Sequence, residues 1–301
     1  MPKEDIRISF HDQISRNKWK SIFLIVIIFL VFLALGYFIS LATDPGFFFI
    51  IMIASIVISI LYILISYYNS DKIALASVRA KPADRRQYSQ YYNSVEGLTL
   101  ASGMPMPRLY IMENKEINAF ASGRDPEHSV ICVTTGALEK LNKQELEGVL
   151  GHELSHIANF DIRFMTLVAV MVGMIAIISE IFLRSLWFRG GSSGDREGKG
   201  NAILLLIGII FAILAPIVVQ LVQFAISRKR EYAADASAVK FIRSPTGLVG
   251  ALKKIKNEQV PTQETRKIPK AVAPLFISNP FKAALSTHPP IEKRIEILER
   301  M

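Results

Sequence analysis

Two histidines and a glutamate near the middle of the chain have the spacing of a metal-dependent hydrolase. Residues His152, Glu153 and His156 spell H-E-x-x-H, and on a helix this spacing places two imidazoles one turn apart with a carboxylate beside them. Asn142 followed by Glu145 has the pattern of a helix N-terminus, so the motif is expected to lie on a helix. The pattern predicts a zinc-dependent peptidase.

Two histidines do not complete a catalytic zinc site, which needs a third protein ligand and an open position for water. The leading candidate is Glu231, because it lies on a predicted helix with Asp235 one turn further along the same face. From spacing alone, a solvated helix face beside basic residues explains these two acids equally well. The only cysteine is Cys132, so an intrachain disulfide is excluded and thiolates are not expected in the site.

Apolar segments must position these residues, since 51% of the chain is hydrophobic. Residues 21–41 and 47–68 carry no charge, and each is long enough to cross a hydrocarbon core of about 30 Å. Residues 164–183 contain one acid and residues 202–226 contain none, which predicts a second hairpin of spans after the metal motif. Four crossings return the chain to its starting side, so Glu231 can lie beside the histidines.

The formal net charge is +9, but the basic residues cluster beside the apolar segments. This distribution indicates membrane orientation and does not predict nucleic-acid binding. The positive-inside rule places residues 1–20, 69–163 and 227–301 on the cytoplasmic side of a multi-pass protein of the cell membrane. A cleaved signal peptide is disfavoured, because the first apolar run is too long for one.

Between the two hairpins the sequence predicts a small soluble unit, which together with residues 227–301 would form the protease domain. Residues 79–100 have the period of an amphipathic helix. Three short segments rich in β-formers follow, at residues 108–112, 118–122 and 129–134, and together they predict a small sheet before the metal helix.

Four sequence elements carry a resemblance to a known family. They are His152 to His156, Glu231-Tyr232-x-Ala-Asp235, Asn118-Ala119-Phe120-Ala121, and T-H-P-P-x-x-x-R-I at residues 287–295. In this order they resemble the HtpX family of integral-membrane zinc metallopeptidases, which are relatives of the CAAX prenyl endopeptidases. The resemblance implies a mainly α membrane protein with four transmembrane helices and a cytoplasmic zincin-like (gluzincin) α+β metallopeptidase domain with a small sheet.

The resemblance also implies a role for each matching residue of the metal site. His152, His156 and Glu231 would bind one Zn²⁺ per chain. Glu153 would be the catalytic carboxylate, and Asp235 would accept a hydrogen bond from a ligand imidazole. Asn159 or Asp161, just after the motif, could share that last role.

Two further elements of the resemblance concern substrate and catalysis. Asn118, Ala119, Phe120 and Ala121 would form a strand that pairs with an extended peptide through backbone hydrogen bonds. His288 and Arg294 would stabilise an oxyanion or brace the site, and both roles stay open.

The function implied is that of a zinc endopeptidase of the EC 3.4.24 type, acting at the cytoplasmic face on misfolded or damaged membrane proteins as part of quality control and stress response. Its partners would be membrane-protein or peptide substrates and the lipid bilayer, and the residues give no prediction of oligomeric state. Prenyl-protein processing is disfavoured, because those relatives enclose a large chamber with more helices. A non-catalytic membrane adaptor with a coincidental motif is a third hypothesis for the function, and a re-entrant second hairpin is a second hypothesis for the topology.

Overall fold

A computed structural model describes residues 10–41, 45–169, 228–258, 268, 272–278 and 289–301. These residues are mostly helical, with one four-stranded mixed sheet. A mainly α fold with a small sheet, as predicted from the sequence, is therefore confirmed. The predicted third and fourth spans lie outside the described residues, apart from residues 164–169, which are helical.

Two long apolar helices begin the described chain. Helix α1 (Phe10–Leu41) and helix α2 (Phe48–Tyr68) are joined through a short 3₁₀ turn at Pro45–Phe47. Their segments Asn17–Ala34 and Pro45–Tyr68 have mean hydropathies of 1.9 and 3.0, and only 28% and 11% of the two segments is buried. A helix in a soluble core would bury its apolar side chains, so these exposed surfaces suit a bilayer. Among the described residues, these two helices are long and apolar enough to cross a membrane.

The helix pair connects to the soluble part through helix α3 (Ser70–Ser77) and through contacts between cations and aromatic rings. In these contacts a basic side chain lies over an aromatic ring, which is favourable in a partly desolvated setting. The pairs are Arg124 over Tyr68, Arg163 over Tyr67 and Lys18 over Phe160, at 4.9, 5.7 and 4.7 Å from the ring centroids. The base of the hairpin is thereby fixed to the loops next to the metal helix.

The sheet has the strand order β1-β2-β4-β3, in which β2 and β4 are parallel and the other two pairs are antiparallel. The strands are β1 (Lys81–Pro82), β2 (Arg108–Met112), β3 (Ala119–Gly123) and β4 (Ser129–Thr134). Every residue of β3 and β4 is buried. Strand β3 lies at the end of this order, so one side of its backbone faces away from the sheet.

The helix predicted over residues 79–100 begins later than expected. Residues Lys81–Pro82 pair with β2 instead, and Asp84 accepts hydrogen bonds from the backbone N–H groups of Arg86 and Gln87. This side-chain turn competes with helix formation. Helix α4 therefore spans Ser89–Ser102.

The metal helix has a well-defined beginning. After the short helix α5 (Thr135–Lys140), helix α6 spans Lys143–Ala158. Asn142 accepts a hydrogen bond from the backbone N–H of Glu145, and the Glu145 side chain accepts one from the N–H of Asn142. The predicted N-terminus is thus confirmed as a capping box, which satisfies two backbone donors.

Three later helices complete the described fold: α7 (Arg228–Ile242), α8 (Thr246–Asn257) and α9 (Ile291–Leu298). Helices α7 and α8 pack against α6, and α9 packs against α7 and α8. Helices α6 and α8 come into backbone contact at two glycines. A Cβ atom at Gly148 would overlap the backbone of Leu248, and one at Gly247 would overlap the carbonyl of Gln144. This close packing holds α6 firmly against the elements that carry the remaining site residues.

Candidate metal centre

Helix α6 and helix α7 bring three metal-binding side chains together. His152 and His156 lie one turn apart on α6, and Glu231 lies in the first turn of α7. The Nε2 atoms of the two imidazoles are 3.2 Å apart, and the Glu231 carboxylate lies 3.5 Å from one and 3.6 Å from the other. All three side chains are buried. The three residues form one cluster whose ligand atoms lie within 4.8 Å of one another.

The distances and hydrogen bonds of this cluster fit a tetrahedral metal ion. Each Nδ1 lies 3.0 Å from a carboxylate oxygen, of Asp235 for His152 and of Asp161 for His156. A carboxylate only accepts, so each Nδ1 is the donor, and each Nε2 faces the shared position beside Glu231, where it can offer a lone pair to a metal once it is unprotonated. A metal at about 2.0–2.1 Å from each ligand at tetrahedral angles requires ligand separations of about 3.4 Å. The observed separations are close to that value, so the residues present fit a zinc ion.

A buried ion pair supports His152 from the side away from the metal position. Arg294, on α9, donates from Nε and Nη2 to the two oxygens of Asp235, at 2.8 and 2.6 Å. Both side chains are 1% exposed. Burial raises the pKa of Asp235, but Arg294 and His152 together outweigh burial and lower it. Asp235 therefore stays ionised and holds the His152 ring in one orientation.

The charges around His152 favour a cation at its Nε2. Burial and the charge of Arg294 lower the pKa of His152, yet the carboxylates of Asp235 and Glu231 outweigh them and raise it to about 9. Two acids in a water-poor pocket therefore stabilise positive charge between His152 and Glu231. A divalent metal ion meets the same requirement, in place of the proton.

Glu153 lies within the site without a hydrogen-bond partner among the described residues. It is 1% exposed, and neither carboxylate oxygen accepts a hydrogen bond from that part of the chain. Burial, and the neighbouring charge of Glu231, raise its pKa, while His152 and His156 lower it. A desolvated carboxylate with no partner is costly, and such a group beside a metal position is suited to accept a proton from water.

The support of His156 includes a residue that the sequence does not indicate. Asp161 accepts from His156 Nδ1 through one oxygen, and its other oxygen accepts from Asn17 Nδ2 at 2.6 Å. The sequence suggests such a role for Asp161 but not for Asn17. In the sequence, Asn17 stands out only as an uncharged amide within the basic segment that precedes the first apolar run. Arg230 Nε lies 3.6 Å from Asp161 on another side.

The predicted substrate strand lies next to this site, and part of its outer edge is taken by the chain itself. The Asn118 carbonyl accepts from Thr134 in the sheet, whereas the Ala119 carbonyl accepts from the N–H of Ile277 at 3.0 Å. Phe120 and Phe276 form an antiparallel bridge and pack ring to ring at 5.0 Å.

The Asn118 side chain extends this pairing by one residue, since its Nδ2 donates to the Ser278 carbonyl at 2.9 Å and its Oδ1 accepts from the Ser278 N–H at 3.3 Å. Residues 276–278 therefore occupy the end of the β3 edge around Asn118 and Ala119. Of the two residues of the C-terminal element, Arg294 is in the site and His288 lies outside the described residues.

Comparison with protein families gives a match to peptidase family M48 over residues 82–301. This range contains the metal cluster, the sheet apart from Lys81, and the C-terminal helices. It therefore covers the side chains of the metal centre described above, apart from Asn17.

Full-length relatives are also found. A protease HtpX homolog of Thermoanaerobacter pseudethanolicus is 45% identical over 300 residues, covering 98% of this chain and 99% of the relative. A protease HtpX homolog of Lactobacillus acidophilus is 42% identical, covering 97% of this chain and 99% of the relative. Among solved structures, S. mikatae Ste24p has a similar fold, with a TM-score of 0.50 at 18% identity, over 90% of this chain and 62% of that one.

Proposed function

The chain belongs to peptidase family M48, with HtpX proteases as full-length relatives, and from this membership we propose that it is a zinc-dependent endopeptidase of the membrane. The observation that carries the proposal is the convergence of His152 Nε2, His156 Nε2 and the Glu231 carboxylate beside the buried Glu153. A helix face with a merely structural role would not direct two lone pairs and a carboxylate at one point.

We assign zinc because two imidazoles and one carboxylate are a ligand set of catalytic zinc, with one position left for water or substrate. One ion per chain is expected, since the donors of the described residues form one such cluster. When bound, zinc supplies Lewis acidity, which polarises a scissile carbonyl and lowers the pKa of water.

Glu153 is proposed to move the proton of the reaction. It accepts a proton from the attacking water and passes it to the leaving amine. Its raised pKa supports this role, because burial makes it a stronger base than an exposed glutamate. Asp235 and Asp161 hold the two imidazoles so that their Nε2 atoms face the metal position. Arg294 braces Asp235, so of its two expected roles the geometry supports bracing.

The substrate is proposed to bind as an extended strand along the outer edge of β3. In an antiparallel strand the backbone groups of alternate residues face the same side, so Ala121 faces outward as Ala119 does. The backbone of Ala121 is close enough to Glu153 to lower the pKa of that carboxyl slightly, which supports a substrate position beside the catalytic carboxylate. Because residues 276–278 pair around Asn118 and Ala119, a peptide would extend beyond Ala121 or displace those residues.

The physiological setting follows from the helices and the charges. We propose four spans, with the protease parts at residues 69–163 and 227–301 on the cytoplasmic side of the cell membrane. Exposed apolar surfaces on α1 and α2 support a membrane location. Misfolded or damaged membrane proteins are the proposed substrates, because an edge strand recognises backbone more than side chains and unfolded segments expose backbone.

The deciding experiment compares the purified wild type with Glu153→Gln in detergent, measuring zinc content and cleavage of an unfolded membrane protein. We expect unchanged zinc and a loss in kcat of at least about 100-fold, since a general base contributes about 10²–10⁴-fold. Glu147→Gln is the matched control, because it makes the same change on α6 at a residue that bonds Ser94 instead of the site. Undiminished cleavage by Glu153→Gln would refute its role, and preference for a farnesylated peptide would change the substrate class.

A further inference from the structure

Asn17 extends from helix α1 to the turn that follows the metal helix. Its side chain is 5% exposed, and Nδ2 donates to the carbonyl of Asn159 at 3.0 Å and to Asp161 Oδ1 at 2.6 Å. An amide nitrogen has two hydrogens, and both are used here. Asn17 is also the first residue of the apolar segment Asn17–Ala34, so a helix suited to cross the membrane contacts the site directly.

The contact continues to the metal ligand through one carboxylate. Asp161 is fully buried, and while Oδ1 accepts from Asn17, Oδ2 accepts from His156 Nδ1 at 3.0 Å. A carboxylate that receives a donor on each oxygen cannot rotate without losing one of them. The orientation of the His156 ring therefore depends on the position of Asp161, to which Asn17 donates a hydrogen bond and whose Oδ1 also lies 3.6 Å from Arg230 Nε.

The backbone of this turn is strained at the residue between the two acceptors of Asn17. Phe160, between the two acceptors of Asn17, has φ of 58°, a conformation that is unfavourable for a residue other than glycine. Its ring lies under Lys18 at 4.7 Å. Lys18 and Asn17 both hold the helix against this turn, and of the two only Asn17 bonds the carboxylate that accepts from a ligand histidine.

We propose that Asn17 is a positioning residue, which couples the first membrane helix to the metal ligand His156 through Asp161. The inference rests on the proposed metal site, but it concerns a residue outside the M48 match at 82–301. Partners of a ligand histidine typically change metal affinity by about 10–100-fold when removed. Asn17 lies one hydrogen bond further from the metal than Asp161, so we expect its removal to weaken zinc binding by about tenfold.

The test uses the full-length protein in detergent and measures the zinc dissociation constant by chelator competition, together with the visible spectrum of the cobalt-substituted protein. Asn17→Ala and Asn17→Leu both remove the donors, and the leucine variant keeps the volume of the side chain in an apolar helix. Each should weaken zinc binding about tenfold and alter the cobalt spectrum. Ser21→Ala is the matched control, because Ser21 is buried on the same helix and, within the part of the chain that the structure describes, its hydroxyl donates to the Asn17 carbonyl and not to the site.

A double variant identifies the route of the effect. In an Asp161→Asn background, Asn17→Leu should weaken zinc binding no further, because its effect passes through that carboxylate. Wild-type zinc affinity and an unchanged cobalt spectrum in both Asn17 variants, with only the unfolding temperature lowered, would show a purely structural residue and overturn the inference. Additive losses would overturn it as well. A wild type that binds no zinc refutes the metal site itself, whereas active Glu153→Gln refutes only the proposed function.

Discussion

Replacing Arg294 with methionine tests whether one buried cation holds the site together. The guanidinium donates twice to Asp235, and its Nη1 lies 3.3 Å from the Ile277 carbonyl and 3.6 Å from Glu231 Oε2. Methionine keeps most of the volume but removes every donor. Two buried acids then lose the cation that they share.

The expected loss is large because the pair is fully desolvated. Removing one partner of a buried ion pair costs about 3–5 kcal/mol, mostly from the charge left behind. His152 still donates to Asp235 and readily carries positive charge, since its pKa is raised to about 9. We therefore expect a loss at the lower end of this range, about 3 kcal/mol of unfolding free energy, for the metal-free Arg294→Met variant. With zinc bound the loss should be smaller, because the ion balances the same acids.

The assay is denaturant unfolding in detergent micelles, for the metal-free and the zinc-loaded protein. Arg300→Met is the control, because Arg300 is 75% exposed and its ion pair with Glu296 is solvated, so the unfolding free energy should be unchanged. A loss below about 1 kcal/mol for metal-free Arg294→Met would refute the reasoning. An equal loss with and without zinc would show that the pair and the metal are not electrostatically linked.

Two further predictions concern packing and metal removal. Gly148→Ala should lower the unfolding free energy by about 1–3 kcal/mol, because its Cβ would overlap the Leu248 backbone. Gly97→Ala is the control: its Cβ has open space around it, so the change should raise the unfolding free energy by about 0.5–1 kcal/mol. Equal effects of the two changes would contradict the contact between α6 and α8. Chelation with EDTA should lower the unfolding midpoint, and zinc at 100 times its dissociation constant should restore about 2.7 kcal/mol, while His156→Ala should respond to neither.

The parts of the site that the sequence predicts best are local. His152, Glu153 and His156 share one helix, whose beginning is encoded by Asn142 and Glu145, so spacing alone places them. The strands predicted at 108–112 and 129–134 also lie where expected, because each is a short run of β-formers between turns. The sequence pattern predicts too early a start for helix α4, since the period of its apolar residues does not reveal the competing turn at Asp84.

The remaining features depend on contacts between residues distant in sequence, which periodicity cannot reveal. Asn17 and Asp161 are 144 residues apart, and Asn118 and Ser278 are 160 residues apart. The sequence pattern predicts β3 as a strand, and the family resemblance implies that its edge binds substrate. Pairing of that edge with residues 276–278 requires the folded topology. The roles of Glu231 and Asp235 follow from family resemblance, since their spacing alone fits a solvated helix face equally well.

The separation of His152 and Arg294 by 142 residues has a consequence for biosynthesis. At a translation rate of about 5–20 residues per second, Arg294 is made about 7–28 s after His152. For the last part of that interval, about 3–12 s, the nascent chain contains both histidines and Asp235 but lacks the guanidinium that pairs with Asp235. The brace on Asp235, and with it the fixed orientation of the His152 ring, can therefore form only after the three metal-binding residues have been synthesised.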